Sequence, residues 1–347
     1  MRGKWVITGI CLVMVLGPFS VSVAQDKSAA LQRLYEAAKK EGRLVLHDGS
    51  SIEQITPIIQ VFEKRFTGVK VQVIVQPSPS IIPRIIVEAQ AGKLSIDAGK
   101  ANISHMPTLN DRGFLRKLDL SKVVDIDPAN VWEGGLLHVH TSIVPGILYN
   151  TNLVSKGDEP RTWEDLLSPK WKGGKIYLAS TGVLHASMFF TGKESEVMDH
   201  IKRLRDQQIV IKVDPRACVA DVSSGEAYIG ECFARTFMMA KERGAPVDLA
   251  PISPQVYIPD GTFALNGSPH PSAAELWIAW RQTPEGREAT LKFGIEAPEI
   301  RCTNSPSAQY LCNKGIKFRV LQTVEEARRF NEYQDKARQL LGLKPGK

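Results

Sequence analysis

Between Leu44 and Val75 the chain changes its hydrophobic period twice, and that change narrows the fold more than any other feature. Leu44-Val45-Leu46 is an apolar run of strand length, and His47-Asp48-Gly49-Ser50-Ser51 is a polar loop. Ile52, Ile55, Ile58, Ile59, Phe62 and Phe66 then recur at helical spacing, after which Val69, Val71, Val73 and Val75 alternate. This is the signature of a βαβ unit. The alternation continues through an isoleucine-rich helix opened by Pro77-Ser78-Pro79-Ser80 and closed by Gly92, and a short strand near Ile96. Further on come a Thr162-x-x-Asp165 capping box, a strand at 175–179, a helix beginning near Thr181 and a strand at 209–213. The expected class is therefore α/β, with mainly parallel sheets flanked by helices. At 347 residues the chain has room for two such units.

The first residues follow a different rule. Arg2 and Lys4 precede the apolar run Val6–Leu16, Pro18 breaks it, and Ser22-Val23-Ala24 supplies the small residues a signal peptidase reads. Residues 1–24 are read as a cleaved export signal, because the run falls short of the ~20 residues a membrane-spanning helix needs. Without Arg2 and Lys4 the mature chain carries 42 basic and 37 acidic residues, a net +5, with the two signs interleaved (Lys39, Lys40, Glu41; Lys241, Glu242, Arg243). That pattern describes solvated helix faces and argues against a nucleic-acid partner. Four cysteines remain in an oxidising compartment. Loop-closure entropy favours the local pairing, Cys218 with Cys232 and Cys302 with Cys312, over the other two arrangements. Buried thiols are the alternative. A zinc site is disfavoured because no C-x-x-C pair occurs.

Several segments, in their order and spacing, resemble one known family. They are Leu34-Tyr35-Glu36-Ala37-Ala38-Lys39-Lys40-Glu41-Gly42, Leu148-Tyr149-Asn150-Thr151, and Trp163-Glu164-Asp165-Leu166-Leu167 running into Pro169-Lys170-Trp171-Lys172-Gly173. Ser224-Gly225-Glu226, Lys241-x-x-Gly244-Ala245-Pro246-Val247 and Pro269-His270-Pro271 complete the set. The chain is similar to the periplasmic solute-binding proteins of ATP-driven importers with the type II fold, in the branch that holds ferric-ion, thiamine, polyamine and phosphonate or sugar-phosphate binders. The resemblance implies two lobes joined by β hinge strands that close over one small ligand. Mapped here, residues 25–145 and 260–300 form lobe I and residues 146–259 form lobe II. Residues 301–347 form a stapled loop and final helix, and the hinges lie at Ser142–Tyr149 and Tyr257–Leu265. It also implies a membrane permease as partner, a monomer, and no cofactor.

The candidate binding residues lie where strand ends meet helix N-termini, which offer unpaired N–H groups and the positive end of the helix dipole. They are His47, Asp48, Ser50 and Ser51 after the first strand, Asn102 after the strand near Ile96, Ser180 and Thr181 in the second half, Arg235, and Tyr257 at the second hinge. Plain helix capping is the competing reading for the Ser, Thr, Asp and Asn positions. Arg235 sits in Ala234-Arg235-Thr236-Phe237, where ferric binders of the family carry adjacent tyrosines. Guanidinium cannot ligate a metal but pairs with carboxylate or phosphate, so a small anionic or zwitterionic solute is expected, with Arg235 either in the cleft or on the surface. Asp48 departs from the hydroxyl residues that anion binders carry there; it either caps its turn or meets a cationic part of a zwitterion or chelate. His138-x-His140 is read as a polar strand face, no metal site is assigned, and no hydrolase or phosphate-loop motif occurs. A ferric-ion or iron-chelate binder and a secreted α/β hydrolase are the alternative readings. N-terminal sequencing of exported protein is expected to start at Gln25, and recovery of intact Met1 would refute the cleaved signal.

Overall fold

The computed structural model describes residues 18–213, 215–293 and 306–344. The apolar run Val6–Leu16 and Cys302 lie outside the described residues. Two sheets divide the strands. In chain order β1 (Arg43–Asp48), β2 (Lys70–Val75), β3 (Ala98–Asn102), β4 (Leu115–Arg116), β5 (Val131–Trp132) and β6 (Leu137–Ile143) belong to the first. After Val144 the chain enters the second sheet with β7 (Pro145–Asn150), followed by β8 (Ile176–Ala179), β9 (Val210–Lys212), β10 (Ile229–Phe233) and β11 (Val247–Leu249). It then returns to the first sheet with β12 (Gln255–Leu265) and β13 (Phe318–Val320). The sheet orders are β2-β1-β3-β12-β6-β5, with β4 and β13 also on β12, and β11-β7-β10-β8-β9.

The expected βαβ unit forms: β1 pairs in parallel with β2 and with β3, as β8 does with β9 and β10. The expectation of mainly parallel sheets needs correcting, because β12 runs antiparallel to β3, β4 and β6, and β7 runs antiparallel to β10 and β11. Both sheets are mixed. The reason is connectivity: β7 follows β6 after one residue and β12 returns from the far sheet, so neither arrives through a helical crossover.

Local chemistry explains the element ends. Gly42 takes a left-handed φ of +71° and its N–H bonds back to Ala38, stopping the first helix. Ser51 and Gln54 form a capping box at the start of the Ile52–Arg65 helix, which buries Ile55, Ile58, Ile59 and Phe62 against the sheet. Phe62 meets Trp277 and Trp280 of the Pro271–Gln282 helix edge-on, at ring distances of 5.0 and 5.4 Å. Buried acids then tie segments distant in sequence. Asp97 accepts from Val45 N–H at 2.7 Å, His270 N–H at 2.8 Å and His270 Nδ1 at 2.9 Å. Glu41 accepts from the N–H groups of Ser272 and Ala273, capping the Pro271–Gln282 helix from 231 residues away.

The final helix, Val324–Leu340, touches both halves: Asn331 donates to Ser104 O, Gln334 to Thr181 O and Arg338 to Ser180 O. Among the described residues, no helix is long and apolar enough to cross a membrane. The cysteine pairing is partly corrected. Cys218 and Cys232 are thiols buried in one apolar cluster and not joined to each other, since the helix and strand that carry them fix their positions by packing, not by chain length. Cys312 is disulfide-bonded, while its expected partner Cys302 falls outside the described residues.

Burial sets a pH dependence. Desolvation pushes the His138 imidazole down to about 4 and that of His185 to about 3, so the fold holds both neutral. As pH falls below 6.5 the unfolded chain takes up these protons first, and each ring withdraws up to about 3 kcal/mol of stability by pH 4. Glu231 behaves oppositely: burial raises its carboxyl to about 8, so its stabilising protonated form is lost as pH climbs from 4.5 to 8. Melting followed by circular dichroism is expected to show maximal stability near pH 6.5, with a steep acid limb and a shallow alkaline one. Glu231→Gln should flatten the alkaline limb and steepen the acid limb between pH 6.5 and 4.5, where the carboxyl opposes the histidines; a melting temperature constant from pH 6.5 to 4 would contradict the buried neutral rings.

Candidate functional site

Residues of both sheets line one cavity of about 180 Å³. From the first sheet come Lys100 on β3, Asp260 on β12, and Thr141 and Ser142 at the end of β6; from the second come Phe233 and the residues opening the Ala234–Glu242 helix, Arg235 and Thr236. Ser307 and Leu311 of the Pro306–Asn313 helix close one side.

The register builds the charged part of the wall. Asp260 pairs with Asn102 across the β12–β3 ladder and Lys100 lies two residues along, so the two side chains meet diagonally on one face, 3.4 Å apart. On the other flank of β12 the β6 register slips between Asp260 and Gly261, leaving His140 as the extra residue of a bulge. Position 261 must be glycine, because a Cβ there would lie 2.2 Å from the His138 carbonyl oxygen. The bulge turns the His140 ring inward. Its Nδ1 is 2.9 Å from Nη2 of Arg281 and its Nε2 is 2.9 Å from Thr262 Oγ1. Guanidinium only donates, so Nδ1 is the acceptor and Nε2 carries the hydrogen. Burial, reinforced by the Arg281 charge, holds His140 well below the usual imidazole range.

Arg281 is fully buried, and burial lowers its guanidinium to about 10, leaving it charged at neutral pH. The charges of Asp48 and Asp260 act on it from nearby. Burial raises the Asp260 carboxyl, with Asp48 adding to the rise and Lys100 opposing it. Lys100 and Asp260 on the cavity wall, together with Arg281 and Asp48, therefore make two cations that balance two carboxylates.

Of the predicted residues, Arg235 lies on the cavity wall, and Asp48 lies in the buried charge cluster with its Oδ1 accepting from Ser50 N–H at 2.7 Å. Asp48 thus caps its own turn, with its carboxylate buried. The others are engaged elsewhere. His47 is fully buried and donates Nε2–H to Gln76 O at 2.9 Å, with burial lowering its pKa. Ser51 and Asn102 cap helical turns. Ser180 Oγ donates to Val213 O, and the carbonyls of Ser180 and Thr181 are taken by the final helix. Tyr257 does not line the cavity; it is fully buried at the start of β12, its ring edge-on to Phe318, because both faces of the strand are covered there. Of the two histidines on β6, His138 is buried, which lowers its imidazole to about 4. Among the described residues, no three His, Cys, Asp or Glu side chains gather as metal ligands would.

The residues missed by sequence reasoning are Lys100, Asp260 and Arg281. A signal for two of them was present: Asp260 and Arg281 each interrupt an apolar stretch, and a charge that must be buried needs a counter-charge.

Comparison with known proteins follows the same outline. Iron-bound HitA from Pseudomonas aeruginosa superposes with a TM-score of 0.72 at 18% identity, covering 87% of this chain and 99% of that one. A Trichodesmium FutA in complex with iron and citrate gives 0.70 at 19%, over 87% and 98%. AfuA from Actinobacillus pleuropneumoniae, with fructose-6-phosphate bound, gives 0.64 at 20%, over 87% and 97%. These likenesses establish the two-lobed binding-protein fold. No curated protein sequence matches significantly. Residues 58–298 match the description of a bacterial extracellular solute-binding protein, and the chain belongs to that family.

Proposed function

We propose that the protein captures a small anionic or zwitterionic solute in the cavity between its sheets and delivers it to the membrane permease of an ATP-driven importer, carrying out no reaction on it. It works in the periplasm as a monomer, after removal of residues 1–24. Residues 25–145 with 260–300 act as one lobe and 146–259 as the other, closing about Ser142–Tyr149 and Tyr257–Leu265; hinge motion of this kind needs only a few residues to absorb the change in dihedrals. The observation that carries the reading is Arg235, a guanidinium of the second sheet on the wall of a cavity shared with the first. Around it stand the hydroxyls of Thr236, Thr141, Ser142 and Ser307, which suit the oxygens of a small solute.

Native mass spectrometry of the protein as purified is expected to show a retained small organic anion or zwitterion. Arg235→Ala should then weaken binding of that solute ten- to a hundredfold by calorimetry, since a charge-assisted hydrogen bond contributes about 1.5–3 kcal/mol. Unchanged affinity with the fold intact would refute the assignment, and recovery of protein-bound ferric ion would replace the organic anion with metal.

A further inference from the structure

The walls of the cavity differ in kind. On the side of the first sheet they are polar, with Lys100, Asp260 and Thr141, which pairs with Asp260 across the β12–β6 ladder. On the other side stand three apolar residues: Val144 where the chain enters the second sheet, Phe233 at the end of β10, and Leu311. Ala234 N–H bonds Val144 O at 2.9 Å, which brings the end of β10 against Val144, and Leu311 belongs to the same apolar cluster as Val144. Both are buried, so the patch is the face of a packed core and does not move aside for a solute.

Size adds a second limit. The cavity measures about 180 Å³, the room of about six waters at ~30 Å³ each and well below the ~300–1,000 Å³ of pockets that take drug-sized ligands. A solute of about six to eight non-hydrogen atoms fills it. A carboxylate head uses about half of those atoms and leaves room for a short carbon chain, whereas a phosphate head uses nearly all of them. An aliphatic chain gains by leaving water for the apolar patch, while the hydroxyls of a sugar or polyol would lose their water there and find no partner.

We propose that the solute is a small amphipathic acid, with a carboxylate or amino-acid head at the polar wall and an aliphatic chain of about three to five carbons against Val144, Phe233 and Leu311. The proposal rests on the anion-binding reading of the cavity and adds the class and size of its solute.

The test titrates the mature protein by calorimetry with two series of probes, straight-chain monocarboxylates from acetate to octanoate and amino acids from glycine to norleucine. In at least one series the affinity is expected to rise about four-fold per methylene, the gain from burying one such group, and to fall once the chain outgrows the cavity. Val144→Thr, which keeps the volume and replaces a methyl group by a hydroxyl, should flatten that rise, and Leu311→Ala should move the optimum to a longer chain. An affinity that is level along both series, or gluconate or glycerol phosphate binding more tightly than every member of them, overturns the inference and leaves the anionic reading standing. Butyramide binding as tightly as butyrate, or no binding by any of the probes, overturns the anionic reading and this inference with it.

Discussion

A guanidinium in the interior cannot be neutralised, so it has to be answered, and the first sheet is arranged around answering Arg281. Its counter-charges come from Asp48 at the end of β1 and Asp260 on β12, and its hydrogen bond goes to His140 on β6. Three strands and the Pro271–Gln282 helix are thereby held at one point. Removing one partner of such a cluster costs about 3–5 kcal/mol, whereas the cluster intact adds little to stability beyond what apolar packing would supply. What it provides is position. Asp260 lines a cavity reached by both sheets, so one of the groups that answer Arg281 also sets the electrostatics of the wall.

The bulge between β12 and β6 is the geometric half of this arrangement. Without the extra residue the two strands would keep regular alternation, and His140 and Asp260 would not both reach the buried cluster. The slip is possible because Gly261 lets the His138 carbonyl approach closer than any side chain would allow. A single backbone irregularity thus connects the packing of the first sheet with the chemistry of the cavity.

The segments that carry the family resemblance turn out to be fasteners. Glu41 caps a helix on the opposite side of the sequence, His270 is held by buried Asp97, and Asn150 bonds Val222 O through its side-chain nitrogen while accepting from Asn152 N–H. Asp165 closes the capping box with Thr162, and Trp171 donates its indole N–H to the Asp165 carbonyl. Each secures backbone groups that the fold would otherwise leave unpaired, which explains how such segments can mark the fold while leaving the solute unnamed.

The sequence by itself determined what depends on local spacing. The helical and alternating periods between Leu44 and Val75 specify the βαβ unit, and Gly42, Ser51 and Thr162 mark element ends, because caps and periodicity act within a few residues. Arg235 was legible too, since a strand end followed by a helix start places a residue at the rim of a sheet. Tertiary structure alone decided the rest. The antiparallel entry of β12 and β7 depends on which sheet the chain has just left, and the burial of His47 and Tyr257 depends on neighbours dozens of residues away. Cys218 and Cys232 remain thiols because their backbones are placed by packing and not by the entropy of the loop between them. Lys100, Asp260 and Arg281 come from a strand, a returning strand and a helix separated by up to 181 positions in sequence, and only register and burial bring their charges together.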